Sequence, residues 1–213
     1  MSSRLSSSLL AIGALAITLL TAAPVTAAPR LPLPITLARH QPLNTTVTVV
    51  GSVTVQSGAF DAGFAIQDLL DGIYVLDAGG AARKIGDVVV VTGTLVDNFG
   101  LLAIQPASVR SLGHGLAIPA RHRSTHAVGE ATEGRLLELD GEMVGDLIDD
   151  GPFGFKLNID DGSGPVQLFI YPGTGISTAG LVEGASIHVT CFSNQFETHY
   201  ECDPRRPADL QID

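Results

Sequence analysis

Two short segments late in the chain carry the residue pattern best suited to holding a ligand. In residues 155–159, Phe155, Leu157 and Ile159 alternate with Lys156 and Asn158; in 166–171, Val166, Leu168 and Ile170 alternate with Gln167, Phe169 and Tyr171. Successive side chains of a β-strand point to opposite faces, so the sets Phe155/Leu157/Ile159 and Val166/Leu168/Ile170 face a core. Lys156, Asn158, Gln167, Phe169 and Tyr171 then share an outward stripe. Aromatic faces there stack on a ligand, while amides and a lysine hold its polar groups. The same parity earlier in the chain turns Gln67, Tyr74 and Leu76 outward, a thinner version of the stripe.

No catalytic constellation accompanies it. The chain has no G-x-S-x-G turn, no G-x-x-x-x-G-K-[ST] loop and no H-E-x-x-H motif, so no catalytic residue and no cofactor is expected. His122 and His126 have the spacing that puts two ligands on one helix face. They lie in a stretch without helical periodicity and read as solvated. Asp146, Asp149, Asp150, Asp160 and Asp161 gather near strand ends, and a hard cation wants several oxygens around one point. The run Asp160-Asp161-Gly162-Ser163-Gly164 lacks the alternating spacing and the distal Glu of a calcium loop, and reads as a tight turn. No metal site is expected.

Two cysteines, Cys191 and Cys202, make one disulfide the expectation in an oxidising compartment. If Phe196-Glu197 is a two-residue turn, Gln195 faces Thr198, Asn194 faces His199 and Cys191 directly faces Cys202. Opposed positions of that kind come within bonding reach.

The elements that must position these residues are strands. Val, Ile and Thr dominate, no long amphipathic period appears, and Gly and Asp clusters recur at short intervals. A first block, 45–112, parses into 45–56 (with Gly51 at its centre), 64–68, 73–77, 87–96 and 101–109, the last two a hairpin around Asn98-Phe99-Gly100. A second block, 133–213, repeats the order as 135–147, 154–159, 165–171, 184–193 and 198–203, with one or two helical turns expected in 174–181. Residues 28–44 are proline-punctuated and read as an extended lead-in; 113–132 read as a linker. Segments 88–106 and 186–204 align without a gap. Val91 falls on Val189, Thr92 on Thr190, Pro106 on Pro204, Gly93 on Cys191 and Ile104 on Cys202. The expected class is all-β, two barrels of five strands in tandem.

One succession in the first block is more specific than its pieces. It runs Val49-Val50-Gly51-Ser52-Val53-Thr54, Gly63-Phe64-Ala65-Ile66-Gln67-Asp68, Gly72-Ile73-Tyr74-Val75, then Gly86-Asp87-Val88-Val89-Val90-Val91-Thr92-Gly93-Thr94, ending near Gly100-Leu101 and Ile104. It resembles the OB-fold domains that accompany bacterial extracellular nucleases. The second block matches the general OB pattern through Val144-Gly145-Asp146, Asp160-Asp161-Gly162 and Gly184-Ala185-Ser186-Ile187-His188-Val189. The resemblance implies two tandem OB-like barrels with a binding or accessory role. Single-stranded nucleic acid or oligosaccharide would lie on the faces of their second and third strands. It transfers no catalytic residue, because in those nucleases the metal-dependent chemistry belongs to a separate domain.

Charge pulls the other way. The chain has 12 basic and 22 acidic residues, a formal net charge of −10. Most of the excess lies in the second block, and a strongly acidic surface repels phosphate backbones at long range. That favours the alternative expectation, a protein-interaction or structural module of the cell envelope with a protein partner.

The N-terminal segment orders basic, apolar and small residues: Arg4 without an acid in 1–8, an apolar run over 9–20, then Val25-Thr26-Ala27. This is the order of a secretory signal peptide, read here as 1–27. The apolar run is shorter than the roughly 20 residues a bilayer span needs, so the mature chain is expected to be exported to the periplasm or beyond without a transmembrane segment. N-terminal sequencing of the protein from its native compartment should begin at or near Ala28; retention of Met1 would contradict export.

Overall fold

β-branched and aliphatic residues at alternate positions, with glycines at the turns, produce twelve strands and one short helix among the residues described by this computed structural model, 31–77 and 79–213. The expected signal segment lies outside them. The first five strands are β1 (Thr46–Val55), β2 (Phe64–Gln67), β3 (Gly72–Val75), β4 (Asp87–Asn98) and β5 (Leu101–His114). They close a barrel in the order β1-β2-β3-β5-β4, with β3 and β5 parallel. After β6 (Arg121–His122) come β7 (Leu136–Asp149), β8 (Phe155–Asp160), β9 (Val166–Ile170), β10 (Ser186–Phe196), β11 (His199–Pro204) and β12 (Leu210–Ile212). The order β7-β8-β9-β11-β10, closed by pairing of β10 with β7, repeats the first barrel, again with one parallel contact, β9 to β11. Both barrels therefore have OB-like topology.

The internal repeat holds residue by residue. Gly93 pairs with Pro106 in the first barrel and Cys191 with Pro204 in the second. Val49 pairs with Val91 as Leu139 does with Val189. Gly51 and Gly141 occupy the same station, where the long first strand turns from its β4-type neighbour to its β2-type neighbour. A Cβ on Gly51 would lie 3.0 Å from the Ile66 Cβ, and one on Gly141 about as close to the Asp160 backbone. The largest departure is after Pro204. Where β5 runs unbroken, the second barrel interrupts its last strand with a 3-10 turn and resumes as β12 beside the first half of β10.

The disulfide Cys191–Cys202 is present, with Cα atoms 5.3 Å apart, both residues fully buried in the second core. The register that motivated it needs correction. Phe196 pairs with His199, so the turn is Glu197-Thr198, and Cys191 faces Pro204 while Cys202 faces Ser193. The cysteines are diagonal neighbours, and strand twist shortens one of the two diagonals. In the first barrel the same diagonal is filled by apolar contact: a Cβ on Gly93 would fall 2.6 Å from the Ile104 Cγ2.

Three further expectations are corrected. The lead-in is not simply extended: Ile35–Arg39 forms a helix, α1, whose first N–H donates to Asp68 Oδ2 at 2.8 Å. Ile35 and Ala38 are fully buried in the first core, so burial of two apolar residues a turn apart outweighs the proline punctuation. The helical turns expected in 174–181 are absent; a 3-10 turn, Pro172–Thr174, ends at Gly175 in the left-handed region (φ 67°). The linker holds β6, parallel to β7, and a 3-10 turn over Thr125–Ala127. Thr125 Oγ1 there donates to the Gly164 carbonyl at 2.6 Å and lies 2.8 Å from Asp161 Oδ1, while Asp160 Oδ1 accepts the N–H groups of Gly162 and Gly164. The Asp160–Gly164 carboxylates are thus used within the protein.

The barrels are docked face to side. The outer face of the first barrel contributes Val55, Ala65, Tyr74, Leu101 and Ala103 to an apolar cluster completed by Phe192 of β10. A polar clamp surrounds it. Gln67 Oε1 accepts the Leu136 N–H at 2.9 Å, Arg205 Nη1 donates to the Thr54 carbonyl at 2.6 Å, and Arg135 Nε meets Asp71 Oδ1 at 3.1 Å. Arg39 Nη2 meets the buried Glu133 at 2.8 Å. Backbones touch where Gly72 meets Gly134: a Cβ on Gly72 would lie 1.9 Å from the Gly134 carbonyl oxygen. Overpacking of a well-packed site costs about 1–3 kcal/mol, and backbone cannot yield as a side chain does. Gly72→Ala should therefore cost about 2–3 kcal/mol of stability, read as a lowered urea midpoint at unchanged slope; an unchanged midpoint would mean that the barrels are not docked here.

Candidate binding groove

β8, β9 and β11 place the candidate residues of the second barrel side by side. Lys156 on β8 is opposite Phe169 on β9, and Asn158 is opposite Gln167. β11 runs parallel to β9 and brings Glu201 beside Gln167, whose Nε2 donates to Glu201 Oε2 at 2.7 Å. The Lys156 ammonium forms an ion pair with Asp150 at 2.7 Å and lies 5.6 Å above the Phe169 ring. Phe169 and Tyr171 pack edge to face at 4.5 Å. Asp150, Lys156, Phe169, Tyr171 and Glu201, with Phe153, Phe196 and His199, wall a groove of about 410 Å³, a size ordinary for small-ligand sites. Phe153 is 67% exposed on its rim and Phe196 45%.

Lys156, Phe169 and Tyr171 come together in the groove, and Gln167 supports it through Glu201. Asn158 is exposed on the same face but outside the groove. Phe169, expected to be open, is 6% exposed because Lys156 and Tyr171 cover its ring. In the first barrel the outward stripe is not a free surface. Gln67 is 2% and Tyr74 3% exposed, because the second barrel covers that face. Phe153, Phe196, His199 and Glu201 went unnoticed in the sequence. The last three depend on the hairpin register, which the turn residues Glu197-Thr198 conceal, and Phe153 sits in a loop with no strand parity to read.

A second cavity, of about 220 Å³, opens where the barrels meet. Tyr74 points its hydroxyl to Asp61 there, and Asp61 Oδ1 also accepts the Gly63 N–H at 2.7 Å. Phe60 stacks at 5.0 Å from Tyr171 and 6.0 Å from Phe192. Behind this wall lies a buried acid pair: Asn194 Nδ2 donates to Glu201 Oε1 at 3.2 Å and to Asp203 Oδ2 at 2.8 Å. Asp203 is fully buried, and its Oδ1 has no partner among the described residues.

These burials set the charge states. Removal from water raises the Asp203 carboxyl well above its usual range, and the neighbouring Glu201 charge adds to the effect. Burial likewise raises Glu201, against hydrogen bonds from Gln167 and His199 that lower it. The Tyr171 hydroxyl is pushed up by burial and by Asp203, Glu201 and Asp61, so it stays a donor. The arginines that could have fed a basic groove are engaged elsewhere. Arg205 and Arg206 both bind Asp209, Arg121 donates to the Leu69 carbonyl at 2.7 Å, and Arg123 donates to the His122 carbonyl at 3.0 Å.

No family model matches the chain, and no curated protein matches it. Among solved structures it is similar to the p204 HINb domain (13% identity, 80% of this chain and 96% of that one, TM-score 0.36). It is also similar to a murine DNA binding protein bound with double-stranded DNA (10% identity, 78% and 94%, TM-score 0.38). A third is an OBody, AM3L09, bound to hen egg-white lysozyme (16% identity, 45% and 96%, TM-score 0.36). None of these ties the chain to the domains that accompany bacterial extracellular nucleases. The OB-like description rests on strand order and the repeat.

Asp203 makes stability depend on pH with a definite sign. Its raised folded-state pKa means that the stability of the protonated form is fully present below the ordinary carboxylate range, near 3.9. That stability is lost as pH rises through the raised value. Asp203→Asn, uncharged throughout, should melt about 2–4 °C above the parent at pH 8, the shift that about 1 kcal/mol gives at this size, and level with it at pH 4. Thermal melts across this range check it; a lower melting point at pH 8 would show that the charged carboxylate is stabilising.

Proposed function

We propose that this chain is an exported, non-catalytic binding module, and that the groove of its second barrel takes a neutral oligosaccharide. The observation that carries the reading is the composition of that groove. Four aromatic side chains, Phe153, Phe169, Tyr171 and Phe196, line it; its lysine is paired with Asp150, and its inner wall carries Glu201. Carboxylates, amides and a tyrosine hydroxyl bond sugar hydroxyls, and aromatic rings cover the apolar faces of the sugar ring. OB barrels bind oligosaccharides as well as nucleic acids on this face. Nucleic acid needs unpaired cations whose phosphate contacts release counterions, and among the described residues Lys156 and His199 are the only basic ones lining the groove. The disulfide suits an oxidising destination.

Titration of the mature protein with a panel of neutral oligosaccharides and with an oligothymidylate tests this. The expectation is sugar binding that changes little between 50 and 200 mM salt and weakens at least about fivefold in Phe153→Ala, the scale of a contact worth about 1 kcal/mol. Salt-sensitive binding of oligothymidylate alone would replace the reading with nucleic acid. Binding of neither would leave the envelope-protein interaction as the function.

A further inference from the structure

We propose that the cavity between the barrels is a second subsite, continuous with the groove, so that the ligand is an extended oligosaccharide lying across the seam rather than a single sugar. The proposal rests on the oligosaccharide reading above and adds to it the length of the ligand and the part played by the first barrel.

Continuity is direct: Tyr171 and Phe196 line both the groove and the seam cavity. A ligand leaving the groove past these rings meets Asn98 and Phe99 at the tip of the β4–β5 hairpin and Asp61 before β2. The chemistry of these groups is that of a site for hydroxyls. The Asn98 amide and the Tyr171 hydroxyl have no hydrogen-bond partner among the described residues, and both line the cavity. Asp61 commits Oδ1 to Gly63 and Tyr74, leaving Oδ2 as an acceptor. The cavity lining has donors and acceptors, aromatic rings on two sides, and no Lys, Arg or His. It therefore suits an uncharged ligand with many hydroxyls, and a phosphate would meet only Asp61 as a charged group.

The cavity is also built rather than incidental. The hairpin tips of the two barrels join in a β-bridge between Gly100 and Phe196, and the Glu197 N–H donates to the Phe99 carbonyl at 2.5 Å. Phe99 and Phe196 then face each other at 6.0 Å across the joint. Because the Gln67–Leu136 and Arg205–Thr54 bonds hold the barrels elsewhere along the seam, the two subsites keep a fixed spacing. A ligand of matching length loses little to reorganisation of the protein.

The test is calorimetric titration of the full mature chain with cello-, chito-, malto- and xylo-oligosaccharides of one to six units. In the series that binds, affinity should rise at least tenfold from the shortest bound member to the longest. Asn98→Ala, and separately Phe99→Ala, should remove most of that gain and leave the shortest member's affinity within about twofold, because both residues line the seam cavity and neither lines the groove, whereas Phe153→Ala weakens every length. Affinity flat with length, or a length gain that survives both seam variants, would overturn the second subsite while leaving the groove reading in place. Failure of every series to bind would overturn both.

Discussion

The docking of the second barrel onto the first is the constraint on which everything else depends. OB-like barrels are small, and each here closes on a modest core. The outer face of β1, β2, β3 and β5 would be exposed in a lone first barrel. Phe192 fills it, and Gln67, Asp71 and the Thr54 carbonyl find partners on the second barrel. Buried polar groups left without partners cost more than their bonds gain, so the seam holds both by apolar burial and by the penalty for opening it. One consequence is that the barrels cannot both use the OB ligand face. The first surrenders its own to the contact, and the second keeps an open groove beside it.

The same docking explains the unusual electrostatics of the seam. β10 and β11 present Asn194, Glu201 and Asp203 on the face that carries Phe192. In an isolated barrel those groups would be hydrated; docked, they are buried, and their carboxyls rise in pKa. Protonated or hydrogen-bonded acids behind an aromatic wall give a polar surface with little positive charge. Such a surface discriminates against phosphates before any specific contact is made.

Much of the fold was legible because both barrels obey strand parity and share one spacing. The aliphatic alternation in β8 and β9 put Leu157, Ile159, Val166, Leu168 and Ile170 in the core, where they are. The gapless alignment of the two hairpins held even the true register: equating Phe99 with Glu197 places the second turn at Glu197-Thr198, as observed. Residue type hid this, since the first turn has Gly100 and the second a threonine, and Glu197 adopts φ 54° without a glycine to announce it. The site was less legible for a different reason. Parity separates inside from outside within one barrel, but it cannot say that an outward face is covered by another barrel. Gln67 and Tyr74 were lost that way. Phe60, Asn98 and Phe99 come to line one cavity only because the seam assembles them, and helix α1 forms because Ile35 and Ala38 find a core that local sequence does not reveal.

In the proposed function the aromatic groove and its seam extension, not a basic surface, receive the ligand. Amide and side-chain shifts followed by NMR in the mature protein, on addition of the tightest-binding neutral oligosaccharide, locate the contact surface. Perturbations should concentrate on Phe153, Tyr171, Phe196, Asn98 and Phe99, with Arg121, Arg123 and the β12 region unmoved. Perturbations centred on Arg121 and Arg123, or on the face carrying Asn158 and away from the seam, would contradict that function.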